Sequence, residues 1–124
     1  MPDIDMVNHP PHYEPLDGVD FPCIQVARGL TFDIGNAVKY VWRADRKNGR
    51  QDLEKARWYL KDAVEHADLV YSGAVTEQFH TNELLQIVAL AQTDILRTGF
   101  FEAIRLRELP LALHAVNTMI GDVP

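Results

Sequence analysis

A row of basic side chains near the middle of the chain is the pattern best suited to chemistry. Lys39, Arg43 and Lys47 stand four residues apart, Arg46 lies beside them, and Lys55 follows after a short break. Like charges at this spacing repel one another on a helix, so the cluster needs a ligand or a partner. An arginine donates paired hydrogen bonds to phosphate oxygens, and a lysine adds a compact positive charge. The row therefore predicts an anion site; salt bridges to the acidic N-terminal segment or to a neighbouring subunit are the alternative.

The charge distribution also favours a local anion site. The chain carries a net charge of −6, yet residues 39–61 hold eight of the twelve basic side chains and three acidic ones. This window therefore carries +5 and the remainder of the chain −11. A small phosphate-bearing molecule suits this arrangement, whereas the acidic remainder is expected to repel long nucleic acid.

Two histidines form the second pattern. His9 and His12 lie three residues apart on a segment that Pro10 and Pro11 stiffen and that Tyr13 follows. Near neutral pH such histidines can ligate a metal, donate to a phosphate, or act as acid and base. Because no third ligand identifies itself, packing of this segment against the domain is favoured over a metal site.

Three further residues close to the basic row can contribute to a site. Asp52 follows the turn at Asn48 and Gly49, and it can hold a divalent ion that accompanies a phosphate or serve as a helix N-cap. Trp58 and Tyr59 can stack on a nucleobase or fill a subunit interface, of which the interface is favoured.

Familiar catalytic signatures are missing from the sequence. It contains no GxxxxGK[ST] or GxGxxG phosphate loop, no GxSxG elbow and no HExxH motif. Cys23 is the one cysteine, so neither an internal disulfide nor a cysteine-rich zinc site can form, and a buried structural thiol is expected.

The elements that must position these residues are predicted to be helices. At 124 residues, 47% hydrophobic and 24% charged, the chain suits one globular domain. Prolines predict an extended arm over residues 1–20, and periodic apolar positions predict an all-α bundle of five or six helices over residues 21–124. No apolar run approaches the roughly 18–20 residues that cross a bilayer, and the acidic N-terminus does not resemble a secretory signal. A cytosolic protein without a membrane partner is therefore expected.

The first three helices are predicted from their apolar spacing. The first follows an Asp20 N-cap, runs through Cys23, Ile24, Val26 and Ala27, and ends at Gly29. The second covers residues 32–47, and the third covers residues 51–68. The apolar face of the second helix comprises Ile34, Ala37, Val38, Val41 and Ala44. Its opposite face comprises Asn36, Lys39, Arg43, Arg46 and Lys47, with Tyr40 at the edge. The core stripe of the third helix comprises Leu53, Ala56, Leu60, Ala63, Val64 and Ala67.

The additional C-terminal helices are placed within residues 82–120. Asn82 is predicted to cap a fourth helix that runs to Leu96, and Gly99 and Pro110 divide the rest into two short helices. The fourth helix is apolar nearly all the way round, so either it lies centrally in the bundle or another subunit covers one side. This pattern predicts a homo-oligomer.

Three sequence blocks resemble the small phage proteins of the SaV-like group, which are filed as a domain of unknown function or as a nucleotide kinase. The blocks are Val7–Tyr13, Gly35–Ala44 with the following Lys47, and Asp52–Leu60, and they stand in order at the expected spacing. The resemblance covers residues 7–65.

The resemblance implies a phage-encoded protein of the host cytoplasm that acts as a deoxynucleoside monophosphate kinase without a Walker loop. Magnesium and a nucleoside triphosphate donor would accompany that activity. For such an activity we assign His9, His12 and Arg43 as catalytic and Asp52 as the metal ligand. The residues that would bind the nucleotide and its phosphates are Tyr13, Asn36, Lys39, Tyr40, Arg46, Lys47 and Lys55.

Two other functions remain open at this point. One is a host-takeover or counter-defence protein that binds a nucleotide or a host protein without turnover. The other is a nucleotide phosphohydrolase that uses Asp52 and the histidines around a metal. The phosphohydrolase ranks last because the sequence lacks the paired acidic helices that such an enzyme would need.

Overall fold

Six α-helices and one short 3₁₀ turn make up the regular structure of residues 13–46 and 48–122, which are the residues that the computed structural model describes. The elements are α1 Cys23–Ala27, α2 Phe32–Arg43, the 3₁₀ turn Ala44–Arg46, α3 Gly49–Glu65, α4 Val75–Ala91, α5 Ile95–Arg105 and α6 Leu109–Asp122. The predicted all-α bundle of five or six helices is confirmed, with six α-helices in the described residues. The expected extended arm falls mainly on residues 1–12, which lie outside the described residues, as do His9, His12 and Lys47.

Helices α2 and α3 form an antiparallel hairpin, as the turn at Asn48 and Gly49 predicts. Every residue of the predicted apolar face of α2 is buried. In α3 the predicted stripe is correct through Ala63 but wrong at Val64, which is 39% exposed, and at Ala67. Helix α3 ends at Glu65, and Ala67 adopts a left-handed φ of 52°, so its side chain leaves the periodic face.

The predicted boundaries in the C-terminal half are wrong. Helix α4 begins at Val75, so Asn82 lies inside it, and it ends at Ala91 before Leu96 is reached. The N-cap of the next helix is Asp94, whose carboxylate accepts a hydrogen bond from the backbone N–H of Leu96. Gly99 lies within α5 and does not divide it, and the final helix α6 begins at Leu109.

Helix α1 forms where it was predicted but is shorter, because its N-cap is Pro22 and not Asp20 and its last residue is Ala27, before Gly29 is reached. Cys23 is buried and free, as predicted, and burial raises the pKa of its thiol to about 12. After α1 the chain passes α4 at Gly29, where an added Cβ would lie 1.8 Å from Thr81 Oγ1. This close approach requires glycine and sets the distance between the two segments.

The core joins the α2–α3 hairpin to the C-terminal helices. Trp42 is fully buried, its ring meets that of Phe101 edge-on at 6.4 Å, and its indole Nε1 donates to the carbonyl of Glu14. Helix α3 packs against α6, and α4 and α6 both pack against α5. Within the described ranges no helix is both long and apolar enough to cross a membrane.

Candidate functional site

The residues singled out in the sequence gather mainly along one side of the α2–α3 hairpin, which we call the hairpin face. From the inter-helix turn towards the other end of the hairpin, the hairpin face comprises Tyr13, Arg43, Asp52, Tyr40, Lys39, Lys55, Tyr59, Trp58 and Phe32. Helix α2 contributes the side opposite its own apolar stripe, and α3 contributes side chains outside its own core stripe. Tyr13 comes from the segment before α1.

Arg43 and Asp52 form a buried ion pair at the turn end of the hairpin face. Arg43 is 7% exposed, and its Nε lies 3.2 Å from Oδ2 of Asp52, which is fully buried. Arg43 Nη1 also donates to the hydroxyl of Tyr13. Arg43, which the sequence assigns to the anion site, is therefore already neutralised by a carboxylate of α3. Helical periodicity places Arg43 opposite the core stripe, but α3 and the segment before α1 cover that side as well.

The surroundings of Arg43 stabilise its charge. Burial by itself lowers the pKa of the guanidinium, but the hydrogen bond to Tyr13 and the charge of Asp52 outweigh this effect and raise the pKa above its ordinary value. Arg43 is therefore a permanent cation that is already engaged by a carboxylate.

Asp52 serves the start of α3. Its Oδ2 accepts the backbone N–H of Asn48 at 3.2 Å, and Asn48, not Asp52, is the N-cap of this helix. Its Oδ1 is buried and has no hydrogen-bond partner among the described residues.

Few side chains that could ligate a magnesium ion lie near Asp52. Across residues 13–46 and 48–122 no three His, Cys, Asp or Glu side chains come together to hold a metal, and the guanidinium beside Asp52 repels a cation. The expected metal role of Asp52 stays a prediction.

Lys39 and Lys55 both lie close to the Tyr40 ring. The Nζ atoms of Lys39 and Lys55 are 4.5 and 5.3 Å from the ring centroid, and Arg43 Cζ is 5.6 Å away. Among the described residues neither lysine forms an ion pair with a carboxylate. The centre of the hairpin face therefore carries two cations that a ligand can neutralise.

Aromatic rings continue the hairpin face beyond the lysines. Tyr59 stacks on Tyr40 with centroids 6.0 Å apart and an interplanar angle of 13°. Phe32 and Trp58 both meet Tyr59 edge-on, at 6.1 and 5.1 Å. Phe32 is 77% exposed and Trp58 is 61% exposed, so ring surface is open to a planar ligand.

The far end of the hairpin carries acidic side chains. Asp33 is buried near the start of α2, and burial together with neighbouring Asp62 and Asp68 raises its pKa to about 6. The charge thus changes from positive to negative along the hairpin, and an anion is favoured at the lysine end.

Two predicted site residues have other roles in the structure. Arg46 donates to the backbone carbonyls of Glu14 and Pro15, at 2.8 and 2.7 Å, and so holds the segment before α1. The Asn36 amide donates to the carbonyl of Phe32 within its own helix.

Sequence reasoning missed Phe32 as a site residue. It could have been recognised because it is a large apolar residue at the start of a helix that lies outside the core stripe of that helix.

The comparisons with known proteins concern the same segment. Residues 7–61 match the family described as "Protein of unknown function (DUF3310)". No curated protein and no solved structure matches the chain. A domain of unknown function therefore contains the whole hairpin face, whereas α4, α5 and α6 lie outside it.

Proposed function

We propose that the hairpin face binds a nucleotide, with the phosphate against Lys39 and Lys55 and the base against the exposed aromatic rings. The observation that carries the proposal is the pair of lysines beside Tyr40, which the described residues leave without carboxylate partners. Two ammonium groups a few ångströms from one ring attract a phosphate more strongly than either alone, because their fields add.

The aromatic rings supply the second half of the proposed ligand. Bases stack on aromatic side chains with a gain of about 1–3 kcal/mol per base, largely independent of sequence. Trp58 and Phe32 expose ring surface beside Tyr59, which is itself stacked on the ring that the two lysines approach. A ligand with both a phosphate and a planar ring suits this face better than an inorganic anion.

The reaction we propose is phosphoryl transfer to a deoxynucleoside monophosphate, and its support is the resemblance to the SaV-like group. Phosphoryl transfer needs mainly positioning and neutralisation of developing charge, which Lys39 and Lys55 are suited to provide. His9 and His12 are proposed to orient the acceptor or relay its proton. A phage origin and a host-cytoplasmic location belong to the same proposal.

Binding without turnover is the second candidate, and the burial of Arg43 favours it. A transferring phosphoryl group could reach the guanidinium only by displacing Asp52 or Tyr13. A protein that senses or sequesters a nucleotide, or that also binds a host protein, needs no such rearrangement.

Calorimetric titration with deoxynucleoside monophosphates and with inorganic phosphate tests the binding site. The double variant Lys39→Ala/Lys55→Ala is expected to lose nucleotide affinity at least tenfold, and the matched control Lys61→Ala, exposed on α3, is expected to retain it. Trp58→Ala is expected to weaken nucleotide binding but not phosphate binding. Equal nucleotide affinity in the wild-type protein and the double variant would refute the site.

A transfer assay with labelled nucleoside triphosphate separates the two candidates. Labelled diphosphate product supports the kinase, and nucleotide binding without product supports the second candidate. Arg43→Ala is a poor probe for either experiment, because leaving Asp52 as a buried unpaired charge costs about 3–5 kcal/mol of stability.

A further inference from the structure

Asn36 lies on α2 between two residues of the hairpin face, Phe32 and Tyr40. The three residues follow one another at intervals of four, so their side chains leave the helix within an arc of about 80°, and Asn36 is about 6 Å along the axis from each neighbour. Lys39 stands one residue before Tyr40. Asn36 is therefore placed between the exposed ring of Phe32 and the lysine end of the hairpin face.

The orientation of the Asn36 amide is fixed by a hydrogen bond. Asn36 is half-buried, and its Nδ2 donates to the backbone carbonyl of Phe32 at 2.9 Å. A carbonyl oxygen only accepts, so the amide nitrogen and not the amide oxygen must face it. Turning the amide over would place two oxygens against each other and lose this hydrogen bond.

The amide oxygen of Asn36 is left as an open acceptor. Among the described residues no donor is hydrogen-bonded to Asn36 Oδ1. The oxygen is also accessible, since in that part of the chain Asp52 Oδ1 is the one buried side-chain polar atom without a partner. A fixed acceptor beside exposed rings can recognise a donor on a bound planar molecule.

We propose that Asn36 Oδ1 accepts a hydrogen bond from an N–H group on the edge of the bound base. This inference rests on the proposed nucleotide site and names the residue that distinguishes a nucleobase from other planar rings. The lysines can only donate hydrogen bonds, and the rings of Phe32 and Trp58 offer no acceptor. Stacking on those rings alone would tolerate any flat ligand that carries a phosphate.

The fixed amide determines which ligands suit the site. A base that presents an amino group or a ring N–H to Asn36 gains a hydrogen bond, whereas a ring that presents a carbonyl or only C–H does not. Each of the four natural bases carries such a donor. The site is therefore expected to accept nucleotides of more than one base and to discriminate against analogues in which the donor is removed or blocked.

Calorimetric titration with pairs of ligands that differ in this donor tests the inference. One pair is deoxyadenosine monophosphate and purine deoxyriboside monophosphate, which lacks the amino group. The other is thymidine monophosphate and its analogue methylated at the ring N–H. In at least one pair the wild-type protein is expected to bind the member with the donor about three- to tenfold more tightly, as one neutral hydrogen bond implies. Asn36→Ala is expected to bind both members of that pair equally.

Two further variants serve as controls. Asn36→Leu keeps the approximate volume of the side chain but removes the acceptor, so it should lose the preference as Asn36→Ala does. Asn117→Ala removes an exposed asparagine of α6 and should keep the wild-type preference. A circular dichroism spectrum of each variant confirms that it folds.

The outcomes separate this inference from the function on which it rests. Wild-type protein that binds nucleotides but shows no preference in either pair, or a preference that Asn36→Ala retains, would overturn the role of Asn36 and leave the nucleotide site standing. Wild-type protein that binds no nucleotide at all would refute the proposed function and this inference together.

Discussion

Arg43 and Lys39 stand one helical turn apart on α2, but their surroundings separate their roles. The Arg43 guanidinium is buried between Asp52 and Tyr13, whereas the Lys39 ammonium lies 4.5 Å from the centroid of the Tyr40 ring and has no carboxylate partner among the described residues. Breaking the Arg43–Asp52 pair would lower the free energy of unfolding considerably, because it leaves a buried charge without a partner. Removing the Lys39 side chain leaves no such buried charge. We therefore assign a structural role to Arg43 and a role in ligand binding to Lys39 and Lys55.

Asp33 makes the stability of the protein depend on pH. Its pKa is raised from 3.8 to about 6, first by burial and then by Asp62 and Asp68, so the folded state binds more protons than the unfolded state in this interval. Stability therefore falls as pH rises from about 4 to 6, and the loss persists above that range. Asp33→Asn should be more stable than wild type by about 1 kcal/mol near pH 7, because the loss of a negative charge in the first turn of α2 offsets part of the gain.

Urea unfolding between pH 4 and 7 measures this difference. The stability gap between Asp33→Asn and wild type should widen across the interval, and the exposed control Asp20→Asn should follow the wild-type curve in parallel. A gap that is constant with pH would mean that Asp33 keeps its ordinary pKa in the folded protein.

At the scale of elements, the packing of α1 and the following turn against α4 depends on one glycine. Gly29 allows Thr81 to approach so closely that an added Cβ would lie 1.8 Å from its Oγ1 and 2.8 Å from its Cβ. Backbone hydrogen bonds from Thr31 to Val70 and from Ser72 to Gly29, both 3.0 Å, tie the same turn to the segment before α4. The turn therefore has little room to move away from a larger side chain.

Gly29→Ala should lower the free energy of unfolding by about 1–3 kcal/mol, the usual cost of overpacking. The matched control is Gly99→Ala in α5, where an added Cβ meets nothing within 4 Å. Since alanine favours helix over glycine, this control should gain up to about 1 kcal/mol. Thermal unfolding of both variants measures the contrast; equal stability of the two would show that α4 can shift at no cost.

At the scale of the whole molecule, the helices beyond the matched family segment complete the core of that segment. Phe101 from α5 packs on Trp42, Arg97 donates to the carbonyl of Val41 at 3.0 Å, and α6 packs along α3. Without these contacts the apolar faces of α2 and α3 would meet water. The hairpin face thus depends on helices that contribute no side chain to it.

A chain truncated after residue 68 is therefore expected not to fold cooperatively. It retains every residue of the hairpin face but loses α4, α5 and α6. Its circular dichroism signal should show reduced helicity and no sigmoidal urea transition, and its nucleotide affinity should fall with its structure. A truncated chain that unfolds cooperatively would show that the hairpin and the segment before it form an independent unit.

Much of the fold follows from local patterns, and the site follows only in part. The buried positions of α2 and the helical hairpin were predicted correctly, because apolar spacing reports directly which side of a helix avoids water. The start of α4 was missed because Asn82 looks like a cap, although its side chain in fact donates to Tyr71 and to the carbonyl of Arg105. A capping residue can be recognised only when the backbone that it caps is known.

The sequence alone determined that the chain is helical, that α2 and α3 pair through a tight turn, and that positive charge concentrates on that pair. These properties depend on residues three or four positions apart. Only the tertiary structure decided that Arg43 is buried, that Lys39 and Lys55 lie close to Tyr40, and that α4 keeps one apolar side exposed. Those outcomes depend on contacts between segments that are distant in sequence. The spacing of residues within one helix does not show which distant segment covers a given face of that helix.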